Sequence, residues 1–382
     1  MNFQFTEEQE HLRRTVRKFA ETEIRPHVRE WDEASHFPAE LLPKLAALDL
    51  LGITVPQEYG GAGLGYTEYA IVIEELARVD PSVAIIVAAH VGLCSNHISR
   101  FGSKEQKLKH LVPLARGEKV GCWGLTEAGS GSDAASLGTR AGLQGDHWVL
   151  DGSKVFTTNG HYADICVVMA STNPAKGRSG ISAFIVEKGT RGFRSGKKEN
   201  KLGLRASDTS ELLFEGCRVP RKNLLGQEGE GFVNCLHILD GGRISIAAMS
   251  LGIAQGAFEV SLRYAQERKQ FDKTIADFQA IQWKLANMKT EIEAAHWLTY
   301  AAAEAADRGR LDRRLCSMAK LYASETAVRV TGEAVQIHGG YGFIKDYPAE
   351  KYYRDVKLCT IGEGTSEIQR TVIARRLLEL PH

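Results

Sequence analysis

The chain has 382 residues, more than one hydrophobic core usually serves, so we expect two or three domains or layers. Lys and Arg number 48 against 47 Asp and Glu, and this balance gives no support for binding to nucleic acid or to an anionic membrane. Seven cysteines without a C-x-x-C pair argue against a complete disulfide framework and against a zinc site, which favours a reducing compartment.

The sequence predicts a soluble protein that is not exported. Its most apolar run, residues 83–89, is shorter than the roughly 18 residues that a membrane-spanning helix needs. Residues 1–20 lack the apolar segment of a signal peptide. We therefore expect the protein in a bacterial cytoplasm, or in the mitochondrial matrix if a transit peptide has been removed.

The first segment, residues 1–120, is predicted to be an all-α domain. Thr6 and Gln9 have the spacing of a helix capping box. Apolar residues then recur at helical spacing, at Leu12, Val16 and Phe19. The Gly-rich stretch PQEYGGAGLG, residues 56–65, interrupts the helical pattern.

The second segment, residues 121–226, is predicted to be a middle β domain resembling a barrel or sandwich. The short apolar runs HWVL, ICVVMA, SAFIVE and ELLF are separated by the turn signals QGD, DGS, NG and NPAKG. A Gly-rich stretch at residues 129–134, GSGSDA, is a weak match to a dinucleotide-binding loop. Because strand-like sequence follows where that fold needs a helix, we do not expect a Rossmann domain.

The third segment, residues 227–382, is predicted to be a C-terminal domain like a four-helix bundle. One helix carries an apolar stripe at Phe278, Ile281, Leu285, Met288, Ile292 and Ala295. Another is expected to end at Gly339-Gly340, and the last to begin near Ser366 with Gln369 as its capping partner. The predicted fold class is therefore α+β and multi-domain, in the order α, β, α.

Glu363 lies between Gly362 and Gly364, just ahead of this last helix. Flanking glycines permit unusual backbone conformations and let a ligand approach the main chain closely. One interpretation is a solvated acid, stabilised at the helix N-terminus by roughly 0.3–1 kcal/mol. The other is a general base. This stretch alone leaves both interpretations open.

Six stretches, in this order, resemble the acyl-CoA dehydrogenase family: LTEAGSGSD, KVFTTNG, LDGGR, ERKQFDKTIADFQAIQ, QIHGGYGF and IGEGTSEIQR. The similarity extends over essentially the whole chain and implies the family's three-part fold. It further implies FAD as cofactor and an acyl-CoA thioester as substrate, oxidised between its α and β carbons to a trans-2-enoyl-CoA. Electrons would then pass to an electron-transferring flavoprotein.

The resemblance implies that Glu363 is the catalytic base, because it stands in the family's E-G-T motif. Some relatives carry the base just before the arginine corresponding to Arg243, and here that residue is Gly242. Burial can raise a carboxyl pKa by up to about 3–5 units. The helix dipole opposes this by less than about one unit, so we expect desolvation to dominate once substrate excludes water.

The resemblance also implies the binding residues. Those expected to hold the cofactor are Trp123, Leu125, Thr126, Gly131, Ser132, Phe156, Thr158, Arg268, Phe271, Gln279, Gln336, Gly339, Gly340, Thr365 and Glu367. Those expected to hold the substrate are Ser132, Asp240, Arg243 and Gly364. For Asp240 and Arg243, one helical turn apart, an ordinary ion pair is an equal alternative. His338 is expected to be a helix-end histidine without a catalytic role.

Five positions depart from the family's usual residues. Ala128 stands where proline is usual, Phe156 where many relatives have tryptophan, and Gly362 where relatives often have tyrosine. Asp272 and Thr274 replace residues that are often glycine and proline. We expect Phe156 still to stack on the flavin, whereas Gly362 leaves the acyl chain length open.

In the family the flavin lies between subunits, so the resemblance implies a homo-oligomer, with a tetramer expected. Arg268, Gln279 and residues 336–340 would then serve the neighbouring subunit's cofactor. Residues 239–259 are most similar to the short-chain and short-branched-chain branches, which act in fatty acid β-oxidation and branched-chain amino acid catabolism. The alternatives are an acyl-CoA oxidase and a catalytically silent flavin-binding relative.

Overall fold

The structure, a computed structural model, describes residues 4–379 as a helical part, a sheet and a second helical part. The Thr6–Gln9 capping box is confirmed: Gln9 N donates to Thr6 Oγ1 at 3.2 Å and Thr6 N to Gln9 Oε1 at 3.0 Å. The first helices are α1 (Glu7–Phe19), α2 (Val28–Ala34), α3 (Leu42–Ala46), α4 (Tyr66–Val79), α5 (Pro81–Ala88), α6 (Asn96–Phe101), α7 (Lys104–Gln106) and α8 (Val112–Ala115).

The middle part is a sheet of eight strands. These are β1 (Gly121–Gly124), β2 (Arg140–Gln144), β3 (His147–Thr158), β4 (Ile165–Ser171), β5 (Ile181–Glu187), β6 (Phe193–Lys198), β7 (Thr209–Pro220) and β8 (Leu224–Leu225). Their order is β6-β7-β3-β2-β4-β5-β8, and β1 pairs in parallel with β4. The rings of Trp148 on β3 and Phe184 on β5 lie only 5.4 Å apart. In a flat sheet these strands would be about 14 Å apart, so the sheet curves around its own core.

One turn predicted in this part is wrong. The residues DGS at 151–153 do not end a strand, because β3 runs through them and pairs with β7 on both sides. The register shifts between Leu150 and Gly152, where φ is 145°. Gly152 therefore lies in a β-bulge inside one long strand, a position where glycine is common.

The C-terminal part is built on long helices. They are α9 (Gly231–Glu267), α10 (Gln279–Asp307), α11 (Arg313–His338), α12 (Ala349–Asp355) and α13 (Ser366–Leu377), and a small hairpin of β9 (Lys269–Gln270) and β10 (Lys273–Thr274) follows α9. The stripe predicted on α10 is confirmed, since Met288, Ile292 and Ala295 are buried. Residues of α4, α9, α10 and α11 belong to one hydrophobic core, so the two helical parts pack as one body beside the sheet.

The last helix begins at Ser366, as predicted, but its cap is different. The N-cap is Thr365, whose Oγ1 accepts a hydrogen bond from Ile368 N at 3.3 Å. The predicted capping box of Ser366 with Gln369 is therefore wrong by one residue. Thr365 and Ser366 both carry hydroxyl groups that suit an N-cap, although only Ser366 has Gln369 three residues later, and the backbone conformation selects Thr365.

Two helical segments, residues 81–101 and 231–267, are long and apolar enough to cross a membrane by length and composition. Within the described residues, 83% and 78% of their most apolar windows are buried inside the protein. Core helices of globular proteins pass the same test. Burial of this extent assigns both segments to the core.

Candidate active site

Glu363 lies in a tight turn immediately ahead of α13. Its backbone is left-handed, with φ 52°, and Gly364 follows with φ 94°. A non-glycine residue in this region costs about 1–3 kcal/mol, so surrounding groups must hold it. Gln369 Nε2 donates to the carbonyl oxygens of Glu363 at 3.2 Å and Gly364 at 2.9 Å, and Lys320 Nζ donates to the Gly364 carbonyl at 2.7 Å. Both donor side chains are fully buried, so the turn is fixed from inside the protein.

The Glu363 carboxylate points at helix α9. A Cβ atom added to Gly242 would lie 1.8 Å from Glu363 Oε2, so the absent side chain at 242 provides the space for the carboxylate. Oε2 is buried, and no hydrogen-bond partner is present for it among residues 4–379. The interpretation of Glu363 as a solvated acid is therefore wrong. Glu367, in the first turn of α13, is the exposed acid at this helix end.

The environment of this carboxyl group changes its protonation. Burial raises the pKa of Glu363 from 4.5 to about 7, while the positive charges of Lys320 and Arg243 oppose that rise. Desolvation of the Glu363 carboxylate therefore outweighs the attraction of these two cations. A carboxyl group with a pKa near neutrality can both take up and release a proton at neutral pH.

Two tyrosines of α4 line the same space. Tyr69 is 1% exposed and donates to the carbonyl of Ala88 at 3.2 Å. Burial raises its pKa, and the negative charge of Glu363 adds to that rise, which places the two groups near each other. The hydroxyl of Tyr66 lies against Gly241, where an added Cβ would be 2.5 Å away. The Glu363 carboxylate thus faces a wall made by α4 and by adjacent glycines of α9.

Asp240 and Arg243 form a buried ion pair with a third member. Arg243 Nη1 donates to Asp240 Oδ1 at 2.6 Å, and Arg313 Nε donates to Asp240 Oδ2 at 2.9 Å. Asp240 and Arg243 are 3% and 4% exposed. Arg243 Nε has no partner among the described residues, and burial lowers the pKa of this guanidinium. The ion-pair alternative is confirmed, and one donor of Arg243 remains available to a ligand.

The loop after β1 is anchored by a buried ion pair. Glu127 accepts from Lys154 Nζ at 2.6 Å and from Thr139 Oγ1 at 2.6 Å. Lys154 is fully buried, so this contact ties the loop to β3. Ser132 is exposed, and no atom in the described part of the chain lies within 4 Å of a Cβ added to Gly131. The tip of the loop is therefore held in place yet uncovered.

The predicted cofactor residues in and after β1 differ in how deeply their side chains are buried. Trp123 and Leu125 are each 9% exposed and pack in the core between the sheet and the first helices. The Trp123 indole donates to His97 Nδ1 at 3.0 Å. Thr126 is partly buried, and its carbonyl accepts from Val155 N at 2.8 Å. The side chains of Trp123 and Leu125 are thus part of the hydrophobic core.

Phe156 is held in an unusual conformation near the end of β3. Its φ is 57°, and its side chain is 66% exposed. A bulky residue with positive φ is rare outside turns and functional sites. Thr158, two residues later, is partly buried and pairs with Thr209 on β7. The strand therefore presents an uncovered aromatic face, which suits stacking on a planar ligand.

A cleft of about 500 Å³ lies where the end of α11 meets the end of α9. Its wall includes Arg268, Gly339 and Gly340, and the Arg268 guanidinium lies 5.4 Å from the ring centre of Tyr341. For both glycines, an added Cβ would have no atom of residues 4–379 within 4 Å. The structure thus brings three predicted cofactor residues together, while Glu363 and the sheet residues lie outside this cleft.

The remaining predicted cofactor residues are exposed or cap a helix. Phe271 is 85% exposed, with φ 51°, and forms a two-residue hairpin turn with Asp272, whose φ is 62°. Gln279 and Gln336 are exposed on α10 and α11. His338 ends α11 as predicted; it is buried and its Nδ1 lies 2.8 Å from the Ala334 carbonyl.

Comparison with models of known protein families identifies the family of this chain. The models for the acyl-CoA dehydrogenase N-terminal, middle and C-terminal domains match residues 6–118, 122–217 and 229–378. The chain belongs to the acyl-CoA dehydrogenase family. It is therefore an oxidoreductase, and the fold inferred from the six motifs is confirmed.

Three known proteins illustrate the similarity. The short-chain specific acyl-CoA dehydrogenase of Clostridium acetobutylicum is 48% identical over 377 residues, covering 99% of this chain and 100% of that protein. The solved butyryl-CoA dehydrogenase from Megasphaera elsdenii is 44% identical with a TM-score of 0.97, covering 99% and 100%. A chain in the structure described as the electron transferring flavoprotein of Acidaminococcus fermentans is 47% identical with a TM-score of 0.98, again covering 99% and 100%.

The cofactor of the family is FAD, and this acyl-CoA dehydrogenase has the features to hold it. Phe156 offers an uncovered ring for stacking, and the loop tip at Ser132 is open. In the cleft, Arg268 supplies a permanent cation beside two glycines whose backbone a ligand can approach. The exposed aromatic and the open glycine backbone both fit a large planar nucleotide.

Sequence reasoning missed Lys320, Tyr69 and the Glu127–Lys154 pair. Lys320 had a detectable signal: it lies among the buried residues Cys316, Ala319 and Ala323 on one face of α11. A lysine inside an apolar helix stripe is rarely buried without a purpose. Tyr69 and the Glu127–Lys154 pair gave no such signal. An aromatic residue in a helix, or a charged residue in a loop or strand, is common and does not by itself indicate a functional site.

Proposed function

We propose that the protein oxidises a short-chain acyl-CoA thioester to its trans-2-enoyl-CoA, with Glu363 as the base that removes the α-proton. The observation that carries the proposal is the Glu363 carboxylate itself, whose Oε2 is buried against Gly242 with no hydrogen-bond partner in the described part of the chain. An α-proton beside a thioester is removed only when a base is held within reach. Bound FAD supplies the acceptor for the β-hydride.

The chain's own residues divide the remaining tasks. Lys320 and Gln369 hold the turn that carries the base. Tyr69 and the adjacent glycines of α9 enclose the space beside it, and a substrate filling that space excludes water. Arg243 Nε, which has no partner within residues 4–379, and the exposed Ser132 hydroxyl are donors for the polar parts of the thioester.

Several finer points belong to the same proposal. A short acyl chain is supported by the short-chain specific and butyryl-CoA relatives, and electron-transferring flavoprotein as acceptor by the chain in that flavoprotein structure. A homo-oligomer is supported by strongly exposed apolar residues near the cleft, namely Phe271 and Phe343, both 85% exposed. Seven free, buried cysteines support a reducing compartment, the cytoplasm of a bacterium or the mitochondrial matrix.

An anaerobic titration tests the function directly. Flavin-loaded protein is mixed with acyl-CoA thioesters of four to sixteen carbons, straight and branched, and the visible flavin absorbance is followed. We expect four-carbon thioesters to bleach the flavin fastest. A flavin that no thioester bleaches would identify the silent relative. Reduced enzyme reoxidised by air faster than by electron-transferring flavoprotein would identify the oxidase.

Arg268→Ala is expected to weaken flavin retention. The guanidinium is the permanent cation of the open cleft and is suited to pair with the flavin pyrophosphate. Removing it should raise the flavin dissociation constant by about 10- to 100-fold, since bonds to charged groups contribute about 1.5–3 kcal/mol. Flavin content after extensive dialysis provides the measurement, with Arg308→Ala, an exposed ion-paired residue on another helix end, as control. Full flavin retention in Arg268→Ala would contradict the role.

A further inference from the structure

Lys320 is a charged residue in a place where a charge is costly. Its side chain is fully buried on α11, and its ammonium donates to the carbonyl of Gly364 at 2.7 Å. Burial lowers the pKa of Lys320 to about 8, and the interactions of Lys320 with Cys359 and, next, with Glu363 oppose this. A buried ammonium usually pairs with a carboxylate. Here its direct hydrogen bond goes to the peptide that follows the base.

We propose that Lys320 is a positioning residue for Glu363: it anchors the turn through the Gly364 carbonyl and supplies the positive charge that favours the ionised carboxylate. The inference rests on the proposed function, in which Glu363 acts as base. A base must be ionised before it accepts a proton. Without a cation nearby, desolvation at this site would keep the carboxyl group protonated.

Among the charged and titratable groups facing Glu363, Lys320 is the main source of positive charge for its carboxylate. From α9, Arg243 also lowers the pKa of Glu363, but its guanidinium is bound to Asp240 at 2.6 Å, which offsets its charge. From α4, the nearby Tyr69 is neutral at physiological pH because burial raises its pKa. Lys320 is thus the cation in this group whose hydrogen bond goes to a neutral carbonyl.

The turn needs such an anchor because its backbone is strained. Glu363 has φ 52°, and a Cβ on Gly364 would lie 2.7 Å from Gln369 Nε2, so the chain passes close to that amide. Gln369 and Lys320 approach the Gly364 carbonyl together, at 2.9 Å and 2.7 Å. Gln369 supplies hydrogen bonds alone, whereas Lys320 supplies a hydrogen bond and a charge. Substitutions at Lys320 can separate these two contributions.

Two variants test the proposal. Lys320→Met removes the charge and the donor while keeping a side chain of similar length, and Lys320→Gln removes the charge but keeps an N–H donor. Arg329→Met is the matched control, because it removes a cation from the same helix that pairs with Glu291 and is 52% exposed. For each flavin-loaded protein, the rate of flavin bleaching by butyryl-CoA is measured between pH 5.5 and 9. The Glu363 carboxyl carbon is titrated by NMR in parallel, assigned by its loss in Glu363→Gln.

We expect the rise of the bleaching rate with pH, and the Glu363 carboxyl titration, to move upward by about one pH unit in both Lys320 variants. Lys320→Met should also lower the plateau rate at high pH by about tenfold more than Lys320→Gln, since only the latter can still anchor the turn. Arg329→Met should follow wild type. A Lys320→Gln profile and carboxyl titration that superimpose on wild type would overturn the proposal. If wild type is not bleached at all, the proposed function fails, while the NMR titration still decides whether Lys320 governs Glu363.

Discussion

Glu363→Gln should lower turnover with a short-chain acyl-CoA by about 10²- to 10⁴-fold, the usual contribution of a positioned base. The amide keeps the shape of the carboxyl group and fits the space beside Gly242, so the turn and the flavin site remain intact. It cannot accept the α-proton. Steady-state turnover, together with the flavin absorbance of the purified variant, measures both parts of this expectation.

The control for this variant is Glu325→Gln. Glu325 pairs with Arg370 of α13 and is 33% exposed. The Glu325→Gln variant therefore removes a carboxylate that faces the same helix but lies outside the site. We expect it to retain wild-type turnover. Turnover of Glu363→Gln within a few fold of wild type would show that another group removes the proton.

The same substitution is also expected to change stability with pH. The pKa of Glu363 is about 7 in the folded protein against 4.5 for an ordinary glutamate, so the folded state binds the proton more tightly. Ionisation therefore destabilises the folded protein as pH rises from about 4.5 through 7. Removing this cost should make Glu363→Gln more stable than wild type at pH 8, by roughly 1–3 kcal/mol, but not at pH 4.5. Denaturation midpoints at the two pH values provide the comparison.

Much of the fold was predictable because its signals are local. The Thr6–Gln9 cap and the α10 stripe at Met288 and Ile292 depend on spacings of three or four residues, which sequence displays directly. The strand runs were equally legible. Where local signals are degenerate, prediction failed: DGS fits a turn as well as a bulge, and Thr365 fits an N-cap as well as Ser366.

The site was only partly predictable, for a different reason. The motif around Glu363 singled out the residue, but its burial comes from α4, α9 and α11, which are distant in sequence. The resemblance marked Gly242 as an empty alternative position for the base. Only the structure shows that the two positions face one another, with the carboxylate occupying the space that a side chain at 242 would need. Lys320 depends on the same long-range packing, since its partner is the Gly364 carbonyl.

Gly242→Ala should abolish most turnover, because a single methyl group enters the space that the Glu363 carboxylate occupies. The added Cβ would lie 1.8 Å from Oε2 and 2.8 Å from Cδ of Glu363, so the carboxylate must move. A displacement of about 1 Å from reacting geometry costs on the order of 100-fold in rate. Overpacking should also destabilise the protein by about 1–3 kcal/mol. Turnover and denaturation midpoint are the measurements.

Gly332→Ala is the matched control for this crowding. Gly332 also lies inside a long helix, but among the described residues an added Cβ meets only Tyr353 Cε2, at 3.8 Å, which is ordinary contact. Alanine is favoured over glycine in a helix by about 1 kcal/mol, so this variant should be active and slightly more stable. Equal loss of turnover in both variants would mean that replacing any glycine within these helices lowers turnover. Crowding beside Glu363 would then not be the cause of the loss in Gly242→Ala.

The double variant Gly242→Glu with Glu363→Gly tests the pairing itself. If the two positions share one space, moving the carboxylate from the turn to α9 relieves the crowding and returns a base to the same side of the substrate. We expect this double variant to recover at least about tenfold of the turnover that Glu363→Gly alone loses, since a base in altered geometry still contributes to proton transfer. Gly242→Glu alone should be the least active of the three, because it forces two carboxylates into one buried space. An inactive double variant that still binds flavin would show that the site depends on the strained turn of Glu363 and not only on the location of its charge.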